Sequence, residues 1–299
     1  MILVVGATGL LGGTIALKLL EQGKPVRVLL REASPAAEMA RQGMATDPQT
    51  LMDAGAQAVY GDLSDSQSLE EACRDVETVI STANAVLRDG DFENVDLNGT
   101  RSLIRAAKDA GVGQFIYLSA LGADSQHPHP LYRAKGQCEL DLMASGMAYT
   151  ILQPYVFTEV WVGAVVGFPL QARAPVTLVK PGDNPQAFVS IRDVAEYAVR
   201  SVGNPAAFNR SIPIGGEKSY SWNEVVASVG WVIGQELPIR YVEPGEAVPL
   251  LPEDMGPVLT GLELSGAVID MAEISKIFGV PPTPMDVTLN QMFGSGGGL

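Results

Sequence analysis

The stretch VVGATGLLGG, Val4 to Gly13, stands between a short apolar run and a segment of helical periodicity. Glycines at 6, 9, 12 and 13 permit a sharp reversal from strand to helix and a close approach of backbones that a Cβ would obstruct. Such a junction commits the start of the chain to a strand, a tight turn and a helix, the opening of a βαβ crossover.

Further short apolar runs recur at Val26 to Leu30, Ala56 to Tyr60, Thr78 to Ser81, Phe115 to Ser119 and Thr150 to Leu152, after the first at Ile2 to Val5. Helix-period segments alternate with them, and this pattern predicts stacked βαβ units around a parallel sheet. Leu11, Ile15 and Leu19, flanked by Ala16 and Leu20, give the first helix one apolar face, which Gly23 should end. A second helix is expected from Asp91 to Ala110, stopping at Gly111, and a third from Leu131 to Ser145, stopping at Gly146. After Pro154 the regularity breaks: residues 192–202 and 221–234 read as helices, the latter opened by a Ser221/Glu224 capping box, and 211–216 as a strand and turn. The expected fold class is α/β, a doubly wound parallel Rossmann sheet with a smaller irregular substrate lobe. Residues 1–154 form the sheet domain and 187–214 return to it; 155–186 and 215–293 form the lobe, and 294–299 a flexible tail.

Gly6, Gly9 and Gly12 make G-x-x-G-x-x-G, a weak signal alone, but here it follows a strand and opens an amphipathic helix. In that setting Gly6 serves the turn, Gly9 the approach of backbone to a pyrophosphate, and Gly12 helix-on-strand packing, with Thr8, Leu10 and Leu11 completing the phosphate loop. Arg31, at the end of the second strand, takes the place where an acid would hold a ribose 2′-OH; arginine there suits the 2′-phosphate of NADP(H), or is a solvated loop residue. Glu32 next to it leaves NAD(H) open. Asp62 and Leu63, in GDL, lie on the expected adenine side, where Asp62 is either an acceptor for the cofactor or the N-cap of the next helix.

Composition narrows the partners. The formal net charge is −14, with acidic residues bunched at Asp62 to Glu77, Asp89 to Asp96 and Glu243 to Asp254, a surface that repels nucleic acid and anionic lipid. Two cysteines without ligand spacing argue against a disulfide framework and for a reducing compartment. The two histidines, in HPHP at 127–130, have no partner segment to complete a metal shell and read as a proline-set loop. No signal peptide is visible, and the apolar stretch Val160 to Leu170 is too short to span a bilayer. These features lead to the expectation of a cytoplasmic protein with a small-molecule substrate, no metal, no membrane insertion, and a homodimer or protein partner left open.

The stretches VVGATGLLG, VRVLLRE, VYGDLSDSQSLEEACRDVETVIST, RSLIRAAKDAGVGQFIYLSALGAD, KGQCELDLMASGMAYTILQP and FVSIRDVAEYAV together resemble the NmrA-like, isoflavone-reductase-like branch of the atypical short-chain dehydrogenase/reductases, over residues 1 to about 200. The resemblance implies a dinucleotide cofactor and, in the superfamily's usual site, a Tyr-x-x-x-Lys pair. Lys135 matches the lysine, but the tyrosine position is Leu131; Tyr132 is displaced by one residue. The isoflavone-reductase-like pattern lacks that tyrosine and keeps the lysine as general acid or base, which assigns catalysis to Lys135, with Tyr132 as a shifted acid and Ser119 in the serine region. Ser81, Thr82 and Ala83 would flank the cofactor. Asp96 replaces the asparagine that often precedes G-T, and Gln153 an arginine. Tyr155, Phe157, Trp161 and Phe168 either line a substrate pocket or fill the lobe core. The implied activity is NADPH-dependent reduction of a small aromatic or conjugated compound; the competing expectation is an NADP(H)-binding sensor or assembly factor without turnover.

Overall fold

Strand β1, Ile2–Val5, is wholly buried and leads through the glycine turn into α1, Leu10–Glu21. The computed structural model describes residues 1–32, 35–41, 43–86, 90–251 and 255–294; the expected tail beyond Gly294, and Asp89 and Asp254 of the acidic runs, lie outside them. The chain continues through β2 (Val26–Leu30), α2 (Ala36–Arg41), α3 (Pro48–Asp53), β3 (Gln57–Tyr60), α4 (Ser66–Cys73) and β4 (Thr78–Ser81). A π-helical segment, Phe92–Gly99, runs into α5 (Thr100–Asp109), followed by β5 (Gln114–Leu118), α6 (Pro130–Met143) and β6 (Ala148–Pro154). Beyond these come β7 (Val156–Phe157), α7 (Thr158–Val162), α8 (Phe168–Gln171), β8 (Val176–Val179), β9 (Phe188–Val189), α9 (Ile191–Ser201), β10 (Arg210–Ile214), α10 (Trp222–Ile233), β11 (Ile239–Val242), α11 (Met255–Ser265), α12 (Ala272–Phe278) and α13 (Met285–Phe293).

Seven strands form the main sheet in the order β10-β6-β5-β4-β1-β2-β3. β1 to β6 pair in parallel, with Val5 opposite both Leu29 of β2 and Ser81 of β4. The winding direction reverses between β1 and β4, the crevice where ligands bind in open α/β sheets. This is a doubly wound Rossmann-type α/β fold, as the alternation of runs foretold.

Two compact units divide the chain: Met1–Pro154 with Val194–Pro213, and Tyr155–Asp193 with Ile214–Leu299. In the first, α1 buries Ile15, Ala16 and Leu19 while Leu11 and Leu20 stay half-buried. The second holds its own core around Trp222, Phe188, Val225, Val229, Leu259 and Leu289, with Phe188 edge-on to Trp222. Ser221 and Glu224 close the capping box of α10 reciprocally, as the sequence indicates. No described helix is long and apolar enough to cross a membrane.

Three helix readings need correction. The regular helix expected over Asp91 to Ala110 is π-wound in its first turns, where Gly99 packs so closely on Leu63 that a Cβ would stand 2.8 Å from the leucine Cβ. The widened turn carries Asp96, Leu97 and Gly99 inward. The ends of α5 and α6 fall earlier than read: Ala110 and Ala144 are the C-caps, and Gly111 and Gly146 follow at φ +75° and +87°. A left-handed glycine belongs just past the cap, so the glycine signal marks the exit of the chain and not its last helical residue.

Candidate functional site

Gly6 adopts φ +82° at the end of β1, and its N-terminal neighbour Val5 is flanked in the sheet by Ser81. The hydroxyl of Thr82, the next residue along from Ser81, donates to the carbonyls of Val5 at 3.1 Å and Gly6 at 3.3 Å, pinning the loop from beneath. A Cβ on Gly12 would lie 2.3 Å from the Gly6 carbonyl, so α1 approaches the turn backbone to backbone. Gly9, the exposed N-cap, differs: a Cβ there would meet only the Gly6 carbonyl, at 3.3 Å. No side chain caps α1, and its first turn carries no acid. The helix therefore presents its positive end and unbonded N–H groups at an open glycine. These features fit a dinucleotide pyrophosphate. Thr8, Leu10 and Leu11 around it are half-buried.

One residue of this loop's surroundings escaped the sequence reading. Thr46, between α2 and α3, donates its N–H to the Thr8 carbonyl at 2.8 Å and covers Gly13, where a Cβ would collide with the threonine hydroxyl. No local pattern announces a contact made across more than thirty residues.

At the neighbouring strand ends, the Ser81 and Ser119 hydroxyls are buried and make no hydrogen bond among the described residues. Two unsatisfied hydroxyls on adjacent strand ends are sites where a ligand or water would be accepted. Ala83 is half-buried beside them. Arg31 is half-buried and Glu32 exposed just past β2. Asp62 is exposed, and its Oδ1 accepts the Ser64 N–H at 3.0 Å and the Ser64 hydroxyl at 2.7 Å. It thus closes a turn, and the N-cap of α4 is Asp65, not Asp62. Leu63 packs into the core of the sheet unit.

The His129 ring nitrogen accepts from the Leu131 N–H and caps α6, with Pro130 in the first helical turn. The helix turns Ala134, Lys135, Gly136, Cys138, Glu139 and Leu142 inward. A Cβ on Gly136 would stand 2.4 Å from the Asp124 carbonyl carbon, so the preceding loop presses directly on the helix beside Lys135. Lys135 is 7% exposed, unlike the usual solvated lysine on a helix surface. Its Nζ donates to the Leu118 carbonyl at 2.9 Å, lies 3.9 Å from Asp96 Oδ1, and stands 5.3 Å from the centre of the Tyr117 ring. Burial pushes the Tyr117 phenol well above its ordinary range and the Cys138 thiol up to about 12, so both are neutral at physiological pH. One turn further along, Glu139 is buried and accepts from the Gln153 amide at 2.9 Å. Glu139 was missed in the sequence, although its place four residues after Lys135 puts both on one helix face. Tyr132 packs on His127 and His129, with ring centres 4.8 and 5.7 Å apart.

Within the second unit, Tyr155 and Trp161 pack against the apolar core, and burial raises the Tyr155 phenol. Phe157 is half-buried where β7 pairs with β9, and Phe168 is 43% exposed at the start of α8.

A Rossmann sheet with a glycine turn at its switch point defines the class: an α/β protein of the nucleotide-binding type. The chain belongs to the NmrA-like family, whose pattern matches residues 1–283, and the resemblance drawn from the sequence is borne out. It is 28% identical over 283 residues to an NAD(P)H azoreductase of Xenophilus azovorans, covering 94% of this chain and 87% of that protein. It is 30% identical over 248 residues to the photosystem II assembly factor Ycf39 of Cyanophora paradoxa, covering 81% and 73%. In fold it is similar to the NADPH-dependent quinone oxidoreductase of Escherichia coli in complex with NADPH, at a TM-score of 0.77 and 21% identity, over 98% of this chain and 100% of the other.

Proposed function

We propose that the protein is an NADPH-dependent reductase acting on a small aromatic or conjugated acceptor such as a quinone, enone or benzylic ether, with Lys135 assisting proton transfer. The observation that carries this reading is the buried amine of Lys135 at the carboxyl edge of a sheet whose glycine loop leaves a helix N-terminus open. A bound nicotinamide dinucleotide would supply the hydride. Backbone N–H groups between Gly6 and Gly12, apart from that of Gly9, which donates to the Gly6 carbonyl at 2.9 Å, would hold the pyrophosphate and Arg31 the 2′-phosphate, with NADH a weaker alternative. Lys135 spends one N–H on Leu118 and keeps two donors for a ribose hydroxyl or an acceptor oxygen. Ser119 orients that oxygen.

A second reading is favoured by one observation. The tyrosine position is Leu131, and the ring of Tyr132 is occupied with two histidines. A dinucleotide sensor or assembly factor, joined to a second copy or another protein, needs no positioned phenol.

Calorimetric titration with NADPH, NADP⁺ and NADH, followed by nicotinamide absorbance with quinones, enones and benzylic ethers, separates the two. Tight NADPH binding with oxidation supports the reductase. Tight binding without oxidation by any acceptor supports the sensor, and absence of binding overturns both.

A further inference from the structure

We propose that Asp96 is the counter-ion that positions Lys135. Its catalytic meaning rests on the role assigned above to Lys135, but the pairing itself does not. The Asp96 side chain is completely buried and that of Lys135 is 8% exposed, with Oδ1 and Nζ 3.9 Å apart. A carboxylate taken wholly out of water requires an opposite charge and hydrogen-bond donors. Its other oxygen, Oδ2, accepts the Ala85 N–H at 3.0 Å. Asp96 therefore spans from the amine to the loop that follows Thr82, whose hydroxyl pins the glycine turn. The π-helical winding of Phe92–Gly99 delivers this carboxylate to the lysine, while its own carbonyl accepts from the Cys138 thiol at 3.3 Å.

Other titratable groups of β5, α5 and α6 are neutral or engaged elsewhere. From β5 comes Tyr117, and from α6 Cys138, both held neutral by burial. Glu139, also on α6, is engaged by the Gln153 amide, and Arg101 of α5 pairs with Asp141 at 2.5 Å. The two departures read in the sequence, Asp96 and Gln153, thus meet on successive turns of the lysine's helix. Where an asparagine at 96 would offer a dipole, this chain places a carboxylate beside Lys135.

Asp96→Asn separates charge from structure, because an asparagine oxygen still accepts the Ala85 N–H whereas Asp96→Ala removes it. Trace acetylation with acetic anhydride at fixed pH, read by peptide mass spectrometry against exposed Lys24 and Lys108, should increase at Lys135 at least threefold in Asp96→Asn. Hydrogen exchange at Ala85 should remain as in the wild type there and accelerate in Asp96→Ala. An unchanged Lys135 ratio in Asp96→Asn overturns the proposal, since a purely structural Asp96 predicts that result. If Asp96→Asn does not fold, Lys135→Met supplies the test: stranding the carboxylate should lower the urea midpoint, and a wild-type midpoint overturns the pairing. None of these readouts needs cofactor or turnover. A protein that shows the acetylation shift but oxidises no NADPH retains the ion pair and loses the reductase reading.

Discussion

Arg31 stands one residue past the end of β2, half-buried, with the exposed Glu32 after it. If its guanidinium holds a 2′-phosphate, Arg31→Ala removes a charge-assisted contact worth about 1.5–3 kcal/mol. Calorimetry should then show NADPH binding weakened about ten- to hundredfold and NADH binding hardly altered; equal losses would detach Arg31 from the phosphate. Lys135→Ala should lower kcat by about 10²–10⁴-fold in a protein that is less stable but still folded at working temperature, the usual range for a positioned acid or base, and an unchanged kcat would remove it from the chemistry. At this scale the sequence exposed residue types but not their surroundings. Asp96 and Gln153 were visible as departures from a pattern, yet only their contacts with Lys135 and Glu139 show that both bear on one lysine helix.

The glycine turn is an element-scale device, and its glycines are not equivalent. Gly12→Ala would set a Cβ 2.3 Å from a backbone carbonyl that cannot yield, so a loss of about 2–3 kcal/mol is expected in urea unfolding. Gly9→Ala meets a single carbonyl at 3.3 Å and should cost less than about 1 kcal/mol while sharply weakening NADPH binding. A Gly9→Ala variant that binds NADPH like the wild type would show that no ligand approaches there. The strands and the faces of α1 and α6 were legible because hydrophobic period is a local property. The π-helical winding before α5 was not, and it ends at Gly99, which packs closely on the distant Leu63.

Across the whole molecule, each unit carries a titratable reporter of its own packing. In the sheet unit, burial raises the thiols of Cys73 to about 11 and Cys138 to about 12. Both should resist thiol reagents at pH 8 and react together only as the unit opens; rapid native labelling would contradict that burial. In the second unit, Glu159 accepts the Ile191 N–H with both oxygens at 3.0 Å, and burial raises its carboxyl above the ordinary value of 4.5. The folded state then binds that proton more tightly than the unfolded chain, so the contribution of Glu159 falls as pH rises through its raised value. The stability of Glu159→Gln relative to wild type should accordingly rise as pH increases above the ordinary value of 4.5, and a pH-independent difference in urea midpoints would refute this. The sequence by itself determined the βαβ order, the glycine turn and the family, because period and backbone freedom are written residue by residue. Tertiary structure alone decided that Thr46 covers Gly13 and that Asp96 meets Lys135. Those outcomes depend on which distant segments exclude water from one another, and no local stretch of chain encodes that.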